Sequence, residues 1–187
     1  MPKVTINDSQ GLVQSTGSGL EISSTSTLSS INVTGATSLT SATVSSTLDL
    51  VGTGILKGQK RSGSILTSGT TLTSADSGKV FYLVQSAAGA RTATLPALES
   101  GLNFKFILIT AAANNWSIAT AQAADDFVGS VVSADGGAGD SAVDSDNVVR
   151  FAASTAAPGD QVELECDGTD WYIRGSMKVA GGIVFAS

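Results

Sequence analysis

The sequence predicts an all-β protein: an N-terminal Ser/Thr/Gly-rich repeat forming a β stalk, followed by an antiparallel β-sandwich or jelly roll. Three observations predict it. Residues 22 to 55 repeat with a period of eleven, in ISSTSTLSSIN, VTGATSLTSAT and VSSTLDLVGTG. From residue 64 onward, short β-branched and aromatic runs alternate with turn signals. All ten aromatic residues lie from Phe81 onward, which separates an aromatic-free first part from a core-forming second part. The chain divides on these grounds into an arm (1–21), a repeat with a basic linker (22–63) and a β domain (64–187).

In the arm, Val4 and Ile6 alternate with polar residues, Asn7-Asp8-Ser9 reads as a turn, and Leu12-Val13 is an apolar pair. So short a segment cannot build a core. It becomes ordered by adding a strand to an exposed sheet edge, where backbone bonds supply affinity, or by capping the repeat that follows it.

In the repeat, Ile22, Val33, Val44 and Ile55 share one position, and Leu28, Leu39 and Leu50 share another. An eleven-residue apolar period also describes a right-handed helical supercoil, but Ser, Thr and Gly are poor helix formers that favour strands and turns. The units are therefore read as short extended segments. Ordering one residue's backbone costs about 1–2 kcal/mol and burying one Leu or Ile returns about 1.5–3 kcal/mol. Two anchors cannot stabilise eleven residues alone, so other chains must supply the missing surface.

In the β domain the expected strands lie in SILTSGTTLT, KVFYLVQ, ARTATLP, FKFILIT, WSIATA, FVGSVVS, NVVRFAA, QVELEC, WYIRGSM and GGIVFA. DGTD, with Asp167-Gly168, joins QVELEC to WYIRG as a hairpin.

Charge narrows the function. Residues 1 to 63 carry four basic and three acidic groups, net +1, whereas 64 to 187 carry six and thirteen, net −7. Such a chain has no electrostatic footprint for nucleic acid. No apolar run reaches membrane-span length, and MPKVTINDSQ lacks the apolar core of a signal peptide, so synthesis in a cytoplasm and no membrane partner are expected.

With no His in the chain, Ser-His-Asp and Cys-His sites and His metal ligation are impossible within it. Asp125-Asp126, or Glu163 with Glu165, could be proposed as paired carboxylates for glycoside hydrolysis, but they read more simply as solvated acids. Trp116 and Trp171 read as core or interface rather than as sugar platforms. Cys166 shares the apolar parity of Val162 and Leu164, so it reads as a buried structural thiol. The run DGGAGDSAVDSDN, with Asp135, Asp140, Asp144 and Asp146, fits neither the calcium nonapeptide nor the EF-hand and reads as a solvated loop. GTGILKG lacks the phosphate-loop ending. Lys57, Lys60 and Arg61 read as a hinge. No catalytic residue, metal or cofactor is expected.

The arm with GLVQSTGSGLEI, the Ser/Thr/Gly repeat and the closing GDQVELECDGTDWYIRGS and AGGIVFAS together resemble tailed-phage capsid decoration proteins, the cement or head-fibre type. The resemblance spans the chain but rests on arrangement, without an invariant motif. It implies a homotrimer, a virion structural role without enzymatic activity on the capsid exterior, synthesis in a bacterial host cytoplasm, and the major capsid protein as partner. It implies further that Ile22, Leu28, Val33, Leu39, Val44, Leu50 and Ile55 form the trimer core, each a layer of three side chains, and that Val4, Ile6, Leu12 and Val13 bind the capsid. Phage tail fibres share such shafts, so a receptor-binding adhesin is the alternative; the chain is short for a fibre. A Thr-rich monomeric solenoid is disfavoured because Thr25, Ala36 and Thr47 share one position and form no ladder.

Overall fold

Alternation of inward apolar and outward polar side chains is what a half-buried strand requires, and it runs through Asn103–Leu108 and Gln161–Cys166 without a break. The computed structural model describes residues 60–85, 89–111, 113–141 and 146–187. The arm, the repeat with its seven anchors, and Val4, Ile6, Leu12 and Val13 lie outside the described residues, as do Lys57 and Asp144.

The strands are β1 (Gly63–Leu66), β2 (Thr70–Thr71), β3 (Val80–Leu83), β4 (Arg91–Thr94), β5 (Asn103–Leu108), β6 (Trp116–Ala119), β7 (Phe127–Ser133), β8 (Asp140–Ser141), β9 (Val148–Phe151), β10 (Gln161–Cys166), β11 (Trp171–Met177) and β12 (Ile183–Ala186). Every expected run holds a strand. Two sheets result, one of seven strands in the order β1-β3-β5-β10-β11-β7-β8, the other of five in the order β12-β9-β6-β4-β2. Among the described residues there is no α-helix, and a single 3-10 turn, Ser74–Asp76, links β2 to β3. Asp76 Oδ2 accepts from Thr73 N and Oγ1 at 2.9 Å each, and Lys79 Nζ donates to Oδ1 at 2.6 Å, which pins that turn.

The all-β expectation holds, but the expected antiparallel arrangement describes only part of this fold. Among the described residues five of the ten strand pairings are parallel: β1 with β3, β3 with β5, β2 with β4, β4 with β6, and β7 with β11. From β1 to β6 the chain alternates between the sheets, so each circuit lays a new strand parallel to the last in both. A parallel pair needs a crossover, commonly a helix. Here each crossover is a strand of the opposite sheet. Afterwards β9, β10 and β12 run antiparallel to β6, β5 and β9, and β10 pairs β11 antiparallel through the DGTD hairpin. Gly168 takes φ 102 there, while Asp167 Oδ1 accepts the amides of Thr169 at 2.8 Å and Asp170 at 2.9 Å.

The inner faces of both sheets supply one buried cluster. Phe81 stacks on Phe106 with ring centroids 5.2 Å apart, and Phe104 meets Trp171 at 5.8 Å. Trp116 donates its indole N–H to the Val84 carbonyl at 3.2 Å. Between β7 and β11 the backbones come so close that a Cβ at Gly129, φ 142, would lie 1.9 Å from the Ile173 carbonyl oxygen. Only glycine fits there.

Candidate functional site

Trp116 and Trp171 are fully buried in the core, so neither is a sugar platform. Cys166 is a buried free thiol on the inner face of β10, and its sulfur accepts the Gly168 amide at 3.4 Å. Asp125 is buried and Asp126 half-buried in the turn before β7. Asp125 Oδ2 has no hydrogen-bond partner among the described residues, and the Asp126 carbonyl takes the Trp171 amide. The acidic loop is more tied down than its composition suggests. Asp135 accepts from Ser133 Oγ and from the amides of Gly137 at 2.9 Å and Ala180 at 3.1 Å, which hold its carboxyl below the usual range, the Ser133 bond foremost. Asp140 lies in β8 rather than in open loop, and its Oδ2 accepts the Phe185 amide at 2.9 Å. Those oxygens are committed to the Ser133 hydroxyl and to backbone amides. Lys60 and Arg61 are exposed just before β1.

Glu163 and Glu165 do share a surface, the outer face of the seven-stranded sheet. Lys105 Nζ meets Glu163 Oε1 at 2.8 Å, and Arg174 reaches Glu163 Oε2 at 3.0 Å and Glu165 Oε1 at 3.6 Å. The Lys105 hydrogen bond, then that of Arg174, holds the Glu163 carboxyl below its ordinary value. A glycosidase's acid needs the opposite shift, upward, to stay protonated at working pH. Glu163 is therefore a bridging anion between two cations rather than a proton donor.

Strand register builds this face in three rows. Ile65, Tyr82, Ile107, Gln161, Ser176 and Val132 are cross-strand neighbours from β1 to β7, an uncharged row. Beside it run Val80, Lys105, Glu163, Arg174 and Ser130. The third row is Asn103, Glu165, Tyr172 and Val128. Within these rows two cations and two anions cancel, on a domain of net −7, while Arg61 lines the adjoining depression and Asp167 accepts from the Tyr172 hydroxyl at 3.2 Å at the end of the third row. The face is not smooth: shallow depressions of about 370, 270 and 220 Å³ all share Glu163 and Arg174. Among the described residues, five of the six exposed large apolar side chains belong to it or to its immediate continuation: Ile65, Ile109, Val128, Val132 and Tyr172. Sequence reading singled out Glu163 and Glu165 here and missed the apolar residues around them. Their signal was present, because Tyr172 shares the parity of Arg174, and Val128 and Val132 share that of Ser130.

Fold and face define a two-sheet, all-β domain with one partly apolar sheet surface. No family model and no curated protein matches the chain.

Proposed function

We propose that the chain is a non-enzymatic virion structural protein, a homotrimeric capsid decoration protein that binds the outer face of a tailed phage's major capsid shell and reinforces it. The observation that carries this reading is a contrast within one chain: the β domain owns a complete core, whereas the eleven-residue repeat has two anchors per unit. A repeat so under-filled is suited to winding with copies of itself, and three copies turn each anchor into a shared apolar layer. Threefold association matches the local threefold axes of a capsid. The trimer clamps neighbouring capsomers by adding interface, and the arm, through Val4, Ile6, Leu12 and Val13, extends a sheet of the capsid protein. The tail-fibre adhesin remains the second reading, favoured by exposed Tyr172 beside Glu165 and Arg174.

Antibody labelling of native particles separates the two. Label distributed over the head supports decoration; label confined to the tail transfers the chain to the adhesin reading.

A further inference from the structure

We infer that the outer face of the seven-stranded sheet is where copies of this chain pack against one another; the inference rests on the trimer proposed above. Three features select a second copy as its occupant. The first is apolar exposure: Ile65 is 65% and Val132 61% exposed, at the two ends of the uncharged row. These are the most exposed large apolar residues among those described, and Ile65 runs on through Tyr82 and Ile107 into a contiguous apolar stretch, the kind of surface that marks an association site.

The second is charge. Identical domains of net −7 repel one another through most of their surface. On this face the cations Lys105 and Arg174 are already balanced by Glu163 and Glu165. Two copies can therefore meet across these rows without bringing unbalanced acidic groups together, with Arg61 beside them as a further cation, and the ion pairs are positioned as a polar surround to the apolar row.

The third is the place where the chain arrives. The sequence reaches β1 directly from the repeat, and Ile55 precedes Gly63 by eight residues. β1 is an edge strand of this very sheet and carries Ile65 on this face. Chains joined through the repeat hold one another's β domains on a short tether, which raises the local concentration of the partner domain to about millimolar. Even a weak sheet-to-sheet contact is then populated. On the outer face of the five-stranded sheet the register places Thr92, Thr94, Ser117, Ala119 and Arg150 with Val148 and Val184, and both valines are half-buried rather than exposed.

Thiol accessibility in the full-length protein tests the inference. Three single variants are compared, Ile65→Cys and Val132→Cys on the face and Val179→Cys, which is exposed but less so (45%) in the single chain and lies outside the face, with mass in solution measured on the same samples. Native Cys166 is buried and gives a common background. The expected result is a trimer in which positions 65 and 132 react at least about tenfold more slowly than position 179, as groups reached only by transient opening do. Equal rates in a particle of trimer mass would overturn the packing face and leave the trimer standing. Protection that develops only on adding empty capsids would overturn it too, assigning the face to the shell. A monomer would sink both this inference and the trimer on which it rests.

Discussion

Lys105 and Glu163 face each other across β5 and β10, Nζ to Oε1 at 2.8 Å, and Arg174 closes on the same carboxylate from β11 at 3.0 Å. Three strands already paired by backbone ladders are thus also cross-linked at one carboxylate. Lys105 and Glu163 are the less exposed pair, while Arg174 is largely solvated. Replacing Glu163 by Gln leaves Lys105 without this anion and Arg174 with only its longer contact to Glu165, and a loss of about 1 kcal/mol is expected. Urea unfolding of E163Q and wild type measures it; a variant as stable as wild type would show that the network contributes geometry only.

The same network sets a pH dependence. Glu163 is held below its ordinary 4.5, and Asp76, bonded first by Lys79 and then by Thr73, is lowered to about 2. A depressed carboxylate contributes stability that is present above its unfolded value and lost as pH falls through its folded value. The wild type therefore loses these contributions between about pH 4.5 and pH 2. The acidic surface works in the opposite direction, because protonation relieves repulsion, so the diagnostic quantity is the difference between proteins. The gap between wild type and E163Q should narrow as pH drops; a gap constant from pH 7 to pH 3 would contradict the assignment.

Gly129 offers a sharper structural test. Its φ of 142 and the 1.9 Å approach to the Ile173 carbonyl leave no room for a methyl group. Gly129→Ala must push β7 from β11 and strain the backbone at once, at a cost of about 1–3 kcal/mol or more. Gly136→Ala is the control, because φ is 79 there but nothing lies within 4 Å of the added carbon. Thermal unfolding of both should rank Gly129→Ala as the more damaging; equal losses would mean that backbone strain alone accounts for the effect.

Much of this domain was legible from alternation. QVELEC and WYIRG, with Asp167-Gly168 between them, give the hairpin and its inward Leu164, Cys166, Trp171 and Ile173 directly, because local turn chemistry and a period of two both act within a few residues. The parallel winding of β1 to β6 was not legible. Phe81 and Phe106 alternate with outward neighbours whether their strands run the same way or oppositely, and direction is decided by where the next strand finds an open edge. β8 was hidden for another reason: Asp140 and Ser141 carry no apolar signal, and their pairing with Val131 and Ser130 comes from the partner strand. The surface followed the same rule. Glu163 and Glu165 were read as solvated, which holds for exposed Glu165 while Glu163 is half-buried, and the bridging of Glu163 by Lys105 and Arg174 joins residues 58 and 11 positions from it.

The last prediction concerns the anchors of the repeat. If Val33 and Leu39 each form a layer of three around a common axis, Val33→Asp with Leu39→Asp brings three carboxylates together twice within a region meant to be apolar. Uncompensated charges cost several kcal/mol each when removed from water, more than one repeat unit's anchors return. The assembly should therefore fall apart, while the β domain keeps its own melting transition, because its buried cluster is complete within residues 72 to 183. Sedimentation and calorimetry on the same sample give both answers. A double variant that keeps its mass and its full melting profile would mean that these side chains face no shared core, and the proposed trimer would then need another origin.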